Sequence, residues 1–296
     1  MRLVKSIVFF VMLGVSTAAF GDTFGDFEYE TSGRSVAITR YRGSASHLAI
    51  PDRINGMPVA SIGDRSFSER NSLISVVIPD SVTYIGKMAF LWCSNLYSVT
   101  VPSSVIYIGD LAFYGCGKLA GVTIPNSVAY IGEGAFYLCG GLISVFIPSS
   151  VTSIGNAAFG ACVGLMNITV DEQNPKYSSY TGVLFDKRIQ TIIQYPARKS
   201  GSSYTIPASV VSIAYAAFSE CSNLTSVTIP GSVAFIGDWA FYGCSNLTSV
   251  TIPGSVDSIG DWAFYGCSRL ISVTLSRRTA VRGDSFPDGL RIMYRN

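Results

Sequence analysis

Residues 224–246 read LTSVTIPGSVAFIGDWAFYGCSN, and this 23-residue unit decides the fold because the chain repeats it. Three residue types recur at a spacing of 23 within two series. They are leucine at 73, 96, 119, 142 and 165, then 224, 247 and 270; proline at 79, 102, 125 and 148, then 207, 230 and 253; and cysteine at 93, 116, 139 and 162, then 221, 244 and 267. A fixed period of this length indicates a stack of similar structural units.

The quoted unit reads as a short strand followed by two turns. The residues with the spacing of inward side chains are Leu224, Val227, Ile229, Val233 and Ile236. Ser226 and Thr228 alternate outward, and Pro230 is expected to end the strand because it has no N–H. Gly237–Asp238 is predicted to be a turn whose aspartate caps a short helical turn containing Ala240 and Phe241.

One copy of this unit cannot bury its apolar side chains alone. Stacked copies, about 4.8 Å apart per rung, would share a continuous core. The sequence therefore predicts a solenoid that is mainly β, with short parallel strands, turns and short helical segments.

The pattern L-x-S-V-x-I-P-x-S-V-x-x-I-G-x-x-A-F-x-x-C resembles the BspA-like, or treponemal-type, leucine-rich repeat. The resemblance covers nearly all of the chain after its first 21 residues, and seven copies keep the Phe-x-x-Cys step. The segment from Asp171 to Tyr195 is similar to a hairpin insert of that family. The resemblance implies an exported microbial surface or secreted protein, and several family members act as adhesins or bind host matrix or other bacteria.

The departures from the repeat suggest a domain organisation. We expect an N-terminal β cap over 22–47, regular repeats over 48–164 and an irregular repeat with a β-hairpin insert over 165–200. Regular repeats resume over 201–275, and a basic C-terminal cap covers 276–296. The cap hairpin is expected to turn near Ser32–Gly33, and Arg70 stands in the first repeat where later copies have cysteine.

The first 21 residues read as a signal peptide. A positive start containing Arg2 and Lys5 precedes an apolar run from Ile7 to Val15, and small residues lead to an expected cleavage after Gly21. The apolar run is shorter than the roughly 20 residues that a spanning helix needs. We therefore expect a secreted, cell-surface or periplasmic monomer with no transmembrane segment in its mature chain.

The composition argues against nucleic acid as a partner. The net charge is +2 and charged residues make up 14% of the chain, against about 25% in ordinary domains. The repeats contain no basic stripe, which a nucleic-acid surface would need.

The seven cysteines occupy the same place in successive rungs, so their thiols are predicted to point the same way. That arrangement does not turn pairs of Cβ atoms toward each other, as a disulfide requires. No C-x-x-C pair provides metal ligands, and the single histidine, His47, lies far from the cysteines in sequence. We predict buried structural thiols, no metal site and no cofactor.

Two groups of exposed side chains are candidates for binding a protein or a glycan. On the outer turns, an aromatic patch would consist of Trp239, Tyr242, Trp262 and Tyr265; the alternative is that these rings only stack to stabilise the solenoid. On the strand face, most outward positions carry hydroxyls, and Val77 and Phe146 break that pattern. A hydroxyl ladder also suits a solvated sheet without any ligand.

The C-terminal end offers a third candidate surface. Arg277, Arg278 and Arg282 could meet an anionic glycan, although such charge clusters also serve as solubilising ends. Arg282-Gly283-Asp284 spells a tripeptide that integrins recognise. We interpret its Gly-Asp as the repeat turn of Gly260–Asp261, which would make the match largely a by-product of register; integrin recognition remains the alternative.

No catalytic group is predicted. His47 has no evident Ser or Cys partner in the sequence, the carboxylates are not paired, and there is no glycine-rich phosphate loop. The sequence therefore favours a non-enzymatic recognition protein that binds host matrix, cell-surface or microbial partners. The alternative is a structural scaffold of the cell envelope with no ligand of its own.

Overall fold

The computed structural model describes residues 22–295, which form a β-solenoid of about 11 turns. Its first thirteen strands are β1 (Asp22–Phe24), β2 (Phe27–Ser32), β3 (Ser35–Tyr41), β4 (His47–Ala49), β5 (Arg53–Ile54), β6 (Met57–Ile62), β7 (Ser75–Val77), β8 (Tyr84–Ile85), β9 (Ser98–Thr100), β10 (Tyr107–Ile108), β11 (Tyr130–Ile131), β12 (Ser144–Ile147) and β13 (Ser153–Ile154). The others are β14 (Asn167–Val170), β15 (Tyr177–Tyr180), β16 (Val183–Asp186), β17 (Thr191–Gln194), β18 (Ser203–Thr205), β19 (Ser212–Ile213), β20 (Ser226–Thr228), β21 (Phe235–Ile236), β22 (Ser249–Thr251), β23 (Ser258–Ile259), β24 (Ser272–Ser276), β25 (Ala280–Val281) and β26 (Arg291–Arg295). The expected signal peptide lies outside the described residues.

Each rung has three sides. The strand face contains β4, β7, β9, β12, β14, β18, β20, β22, β24 and β26; the second face contains the two-residue strands such as β21 and β23. The third side, which we call the outer ridge, runs from the repeat glycine to the cysteine, as in residues 237–244. Regular rungs pair in parallel and 23 residues apart, for example Val227 with Val250, which confirms the predicted pairing. On the strand face this pairing is reduced to a single bridge, Ser98 with Gly121, between β9 and β12, and β22 does not pair with β24 within the described residues.

The core lies between the three sides and consists of ladders of identical residues. Successive repeat phenylalanines stack with ring centroids between 4.7 and 5.5 Å apart. Cys139 is buried and donates from Sγ to the Phe113 carbonyl at 3.1 Å, a bond that recurs along the ladder. All seven cysteines are free and buried, and burial raises the pKa of Cys93 and Cys162 to about 12. The prediction of buried structural thiols is confirmed.

The predicted short helical segments are wrong. No residue in the range 22–295 is in an α-helix, and the outer ridge is a series of turns. Two residues of each turn have positive φ, as at Trp239 (61°) and Gly243 (69°). This left-handed backbone directs N–H groups along the solenoid axis, so that Trp239 N donates to Asp261 O of the next rung at 2.9 Å.

The aspartate of the repeat turn acts between rungs and not as a helix cap. Asp238 Oδ1 accepts a hydrogen bond from the Asp261 backbone N–H at 2.9 Å. Asp110 accepts in the same way from the N–H of Glu133, 23 residues later. The prediction that this aspartate accepts a hydrogen bond from a backbone N–H is correct. The donor, however, belongs to the next rung and not to a helix that starts at the aspartate.

The N-terminal end is closed by antiparallel strands β1, β2 and β3, which turn between Ser32 and Ser35 as expected. β3 then pairs in parallel with β6 of the first rung. Tyr41 of the cap stacks on Phe67 at 5.4 Å, so the phenylalanine ladder ends on a tyrosine. Arg70 replaces the buried cysteine in this rung and is partly exposed.

The irregular repeat interrupts the solenoid on all three sides. β15, β16 and β17 form an antiparallel insert, of which β17 continues in parallel to β19. In the described chain neither β13 nor β14 pairs with the next strand of its own face. The buried side chains accordingly form two clusters, with Leu184 in the first and Phe185 in the second.

The outer ridge is interrupted because the rung containing Tyr195 is short. Three positions separate Ile192 from Tyr195, whereas five separate the equivalent Ile213 and Phe218, so this rung lacks part of its outer turn. The carbonyl groups that would accept hydrogen bonds from the preceding outer turn are therefore missing. Within residues 22–295, the N–H groups of Ala157, Phe159 and Ala161 have no hydrogen-bond acceptor.

Close backbone approach explains the repeat glycine. A Cβ on Gly132 would lie 2.3 Å from the Asp110 nitrogen of the previous rung. Ala214 occupies the equivalent position directly after the short rung, where the previous outer turn is reduced and a Cβ fits. The glycine is thus required by the rung beneath it.

We predict that Gly132→Ala lowers the free energy of unfolding by about 2–3 kcal/mol, because its Cβ would force two rungs apart. Gly231→Ala is the matched control, since a Cβ there meets nothing within 4 Å, and it should change stability by less than about 0.5 kcal/mol. Urea denaturation of the two variants makes the measurement. Equal midpoints would contradict the close-approach explanation.

We also predict fast amide exchange at the interruption. The amides of Ala157, Phe159 and Ala161 should exchange with deuterium at least about tenfold faster than those of Gly134, Phe136 and Leu138, which donate to the next rung. Residue-resolved hydrogen exchange compares the two turns within one sample. Equal protection would show that the two solenoid halves are joined as firmly as any other pair of rungs.

Candidate binding surfaces

The strand face of the first half of the solenoid carries an exposed apolar surface. Val77 and Phe146, both singled out from the sequence, are 49% and 50% exposed. Four large side chains that sequence reasoning missed lie in the column next to them: Ile74, Tyr97, Ile143 and Met166, exposed by 42%, 58%, 57% and 46%. We call these six residues the apolar face.

Backbone hydrogen bonds place the missed residues on two pairs of adjacent rungs, with the rung of Ala120 between the pairs. Tyr97 N donates to Ile74 O at 2.8 Å, Ala120 N to Tyr97 O at 3.0 Å, and Met166 N to Ile143 O at 2.9 Å. A shallow cavity of about 420 Å³ opens beside the column and is lined by Asn71, Ser72, Ile74, Asn95, Tyr97 and Lys118. The apolar face therefore includes a concave segment as well as a flat one.

The same column is polar in the second half of the solenoid. Thr225 and Thr248 take the positions of Ile143 and Met166, and their hydroxyls donate to the carbonyls of Ser202 and Thr225 at 3.0 Å. In the last regular rung this column again holds an apolar residue, Ile271, which is 78% exposed and isolated from the apolar face. Fold alone does not require apolar residues in this column, because threonine serves as well.

The four ring residues of the predicted aromatic patch do lie together. The ring centroid of Trp239 lies 4.6 Å from that of Tyr242 and 6.1 Å from that of Trp262. The ring centroid of Tyr265 lies 4.6 Å from that of Trp262 and 5.9 Å from that of Tyr242. Trp262 and Tyr265 are exposed, whereas Trp239 and Tyr242 are half-buried. We call these four residues the aromatic tile; its inner pair stabilises the ridge and its outer pair presents ring surface to solvent.

A second set of aromatic residues stacks between rungs and has a structural role. Tyr84, Tyr107 and Tyr130 stack along the second face with centroids 4.8 and 4.5 Å apart. Burial, together with neighbouring Tyr130, raises the pKa of Tyr107. These rings stack on one another between rungs and so stabilise the solenoid.

The basic C-terminal residues do not form one cluster. Arg277 and Arg278 lie in the turn after β24, and Arg277 sits over the Tyr294 ring at 5.9 Å. Arg282 follows β25 on another side of the rung. All three side chains are exposed, but the chain path separates the first two from the third.

The tripeptide at 282–284 is shifted by one residue from the repeat turn, so the interpretation of its Gly-Asp as that turn is wrong. Val281 pairs with Ile259, and Phe264 N donates to Ser285 O, which places Arg282 in the position of Gly260. Gly283 then takes the place of Asp261, and Asp284 that of Trp262. All three residues are exposed, so the match is not a by-product of register, and integrin recognition stays a prediction.

His47 has a partner that the sequence did not reveal. Its Nδ1 lies 2.8 Å from Ser75 Oγ, because β4 and β7 pair in register across an interval of 28 residues. No carboxylate within residues 22–295 forms a hydrogen bond or ion pair with His47, so the third group of a hydrolytic triad is missing there. The same range holds no group of three or more metal-ligating side chains and no helix long and apolar enough to cross a membrane.

Comparison with known families matches most of the chain to one repeat type. The BspA type leucine rich repeat region matches in six copies, over residues 60–181 and 197–288. No curated protein matches the chain.

Solved structures give the same result. A leucine-rich repeat protein from Eubacterium ventriosum is 26% identical with a TM-score of 0.64, covering 88% of this chain and 80% of that one. A leucine rich cell surface protein from Faecalibacterium prausnitzii is 28% identical with a TM-score of 0.58, covering 95% and 96%. The pneumococcal vaccine antigen PcpA is 20% identical with a TM-score of 0.68, covers 93% and 88%, and shares the fold.

Proposed function

Because the chain belongs to the BspA-type leucine-rich repeat family, whose solenoids mediate protein binding, we propose that it is a non-enzymatic recognition protein of the cell exterior. The apolar face is its proposed binding surface. The observation that carries this proposal is the exposure of six large apolar side chains on a face whose equivalent positions in the second half are mostly hydroxyls.

The chemistry of this face favours a protein partner. Its six large side chains are each 42–58% exposed, and grouped exposed apolar residues of this kind are typical of protein-interaction sites. Its six residues are uncharged and Lys118 is the one charged residue that lines the cavity beside them, so the partner surface is expected to be mainly apolar. Tyr97 and Phe146 are the ring residues that most often anchor such contacts.

The proposal that the protein is exported is supported by the start of its sequence and by its similarity to a cell surface protein. The n-region, apolar run and small residues of 1–21 support a signal peptide. The F. prausnitzii protein is described as a cell surface protein, which supports the same location. Adhesion to host matrix, cell surfaces or microbes is the specific role we propose for a face of this kind.

We predict that Tyr97→Thr combined with Phe146→Thr weakens binding to the recognised matrix or cell-surface protein at least about tenfold. Threonine occupies equivalent outward positions in the second half, so stability should change by less than about 0.5 kcal/mol for each substitution. The measurement is a surface-plasmon-resonance screen of the mature protein against matrix proteins and glycans, with a repeat-shuffled solenoid as the background.

Ile271→Thr is the matched control, because it removes an exposed apolar residue from the same column outside the apolar face. Unchanged binding by the double variant would exclude the apolar face. Protease treatment of intact cells tests the alternative, an envelope scaffold: cleavage at the surface agrees with recognition, whereas protection together with an empty binding screen favours the scaffold.

A further inference from the structure

A second binding surface lies on the outer ridge of the second half, away from the strand face. We propose that the aromatic tile, together with the carboxylates beside it, binds cationic side chains of a basic protein segment. This surface does not depend on the apolar face, so either assignment can fail without the other.

The two tryptophans of the aromatic tile have a backbone conformation that is unfavourable for bulky side chains, and the fold does not require tryptophan there. Trp239 and Trp262 have φ of 61° and 60°, in the left-handed region that bulky residues avoid. Other rungs fill the same position with Arg65, Met88, Leu111 or Ala157, all with similar positive φ, so the turn accepts side chains of different sizes and does not require a large ring. Two tryptophans on adjacent rungs therefore reflect something besides the backbone path, and the outer one leaves ring surface exposed.

Carboxylates flank the exposed rings. Asp284 takes the position of Trp262 in the next rung, because Ser285 O accepts from Phe264 N and Phe286 stacks on Phe264 at 5.3 Å. Asp284 is exposed, so its carboxylate lies at the surface of the rung that follows Trp262. Asp261 Oδ1 also faces this rung, since it lies 2.6 Å from where a Cβ on Gly283 would be.

These charges have no cationic partner in the described chain. Within residues 22–295 no Lys or Arg approaches Asp261 or Asp284 within ion-pair distance, and no guanidinium or ammonium lies over the tile. Asp238 and Glu220 extend the negative charge along the same ridge, with Arg282 as a neighbouring base. The ridge is therefore locally acidic on a chain whose net charge is +2.

An aromatic face beside carboxylates fits a cation better than a neutral ligand. A guanidinium or ammonium is attracted by the ring quadrupole and by the carboxylates at once. Arginine fits best, because its planar group stacks on a ring while its N–H groups reach a carboxylate. A basic segment with several such residues could follow the ridge from Asp284 toward Glu220.

The test uses octaarginine as the probe, with octaglutamate as the opposite-charge control, followed by tryptophan fluorescence and calorimetry on the full mature chain. Trp262→Leu should weaken octaarginine binding about three- to thirtyfold. Leucine is tolerated at this position, as Leu111 shows, so the variant should fold. Asp284→Asn should weaken binding and reduce its salt dependence, and Arg282→Ala should strengthen binding.

The matched control is Trp92→Leu, which removes another exposed tryptophan of the outer ridge, at a place where the carboxylates of Asp64 and Glu69 are accompanied by Arg65 and Arg70. Leu138 occupies its position in another rung, so this variant should fold too and leave binding unchanged. Equal binding of octaarginine by the native chain, Trp262→Leu and Asp284→Asn would overturn the proposal. So would saturable binding of a neutral glycan at the tile with no binding of octaarginine.

Discussion

The backbone of each rung meets its own equivalent in the next rung, and this repeated close contact is the constraint on which the structure depends. It is made by parallel strand pairing on two sides and by outer-turn N–H groups on the third. It also removes the side chain at the repeat glycine, where even a Cβ would overlap the previous rung. Identical residues therefore lie above one another, and a favourable contact found once is repeated along the chain.

This stacking separates positions that must be kept from positions that are free. Inward columns are fixed, because a phenylalanine or cysteine that suits one rung must suit its neighbours. Outward columns touch solvent and can change without disturbing the ladder. The apolar face and the aromatic tile are both changes of this second kind, and they lie on different sides of the solenoid in different halves.

The sequence predicts well those features that depend on period alone. Inward residues such as Leu224, parallel pairing and buried thiols such as Cys139 all follow from spacing. The outer turns were mispredicted as helical, because Gly237–Asp238 followed by Ala and Phe has the composition of a capped helix start, and nothing local shows that the N–H groups bond to the next rung. The shift at Arg282 is visible in the sequence, because Gly283 precedes Phe286 by three positions whereas Gly260 precedes Phe264 by four, and the interpretation by register overlooked that difference. The column of Ile143 was missed since each of its members is a variable position in its own repeat.

The short rung separates the part of the solenoid that carries the apolar face from the part that carries the aromatic tile. A missing part of one outer turn leaves the N–H groups of Ala157, Phe159 and Ala161 without acceptors among residues 22–295, and buried unpaired donors each cost about 1–3 kcal/mol. Strand pairing on both faces stops at the same place, and the core divides there between Leu184 and Phe185. The apolar face lies before this division and the aromatic tile after it. The backbone ladders of all three sides are broken between them, and the two halves meet there through side chains instead, since Tyr137 of the first half lies beside Ser219 and Glu220 of the second.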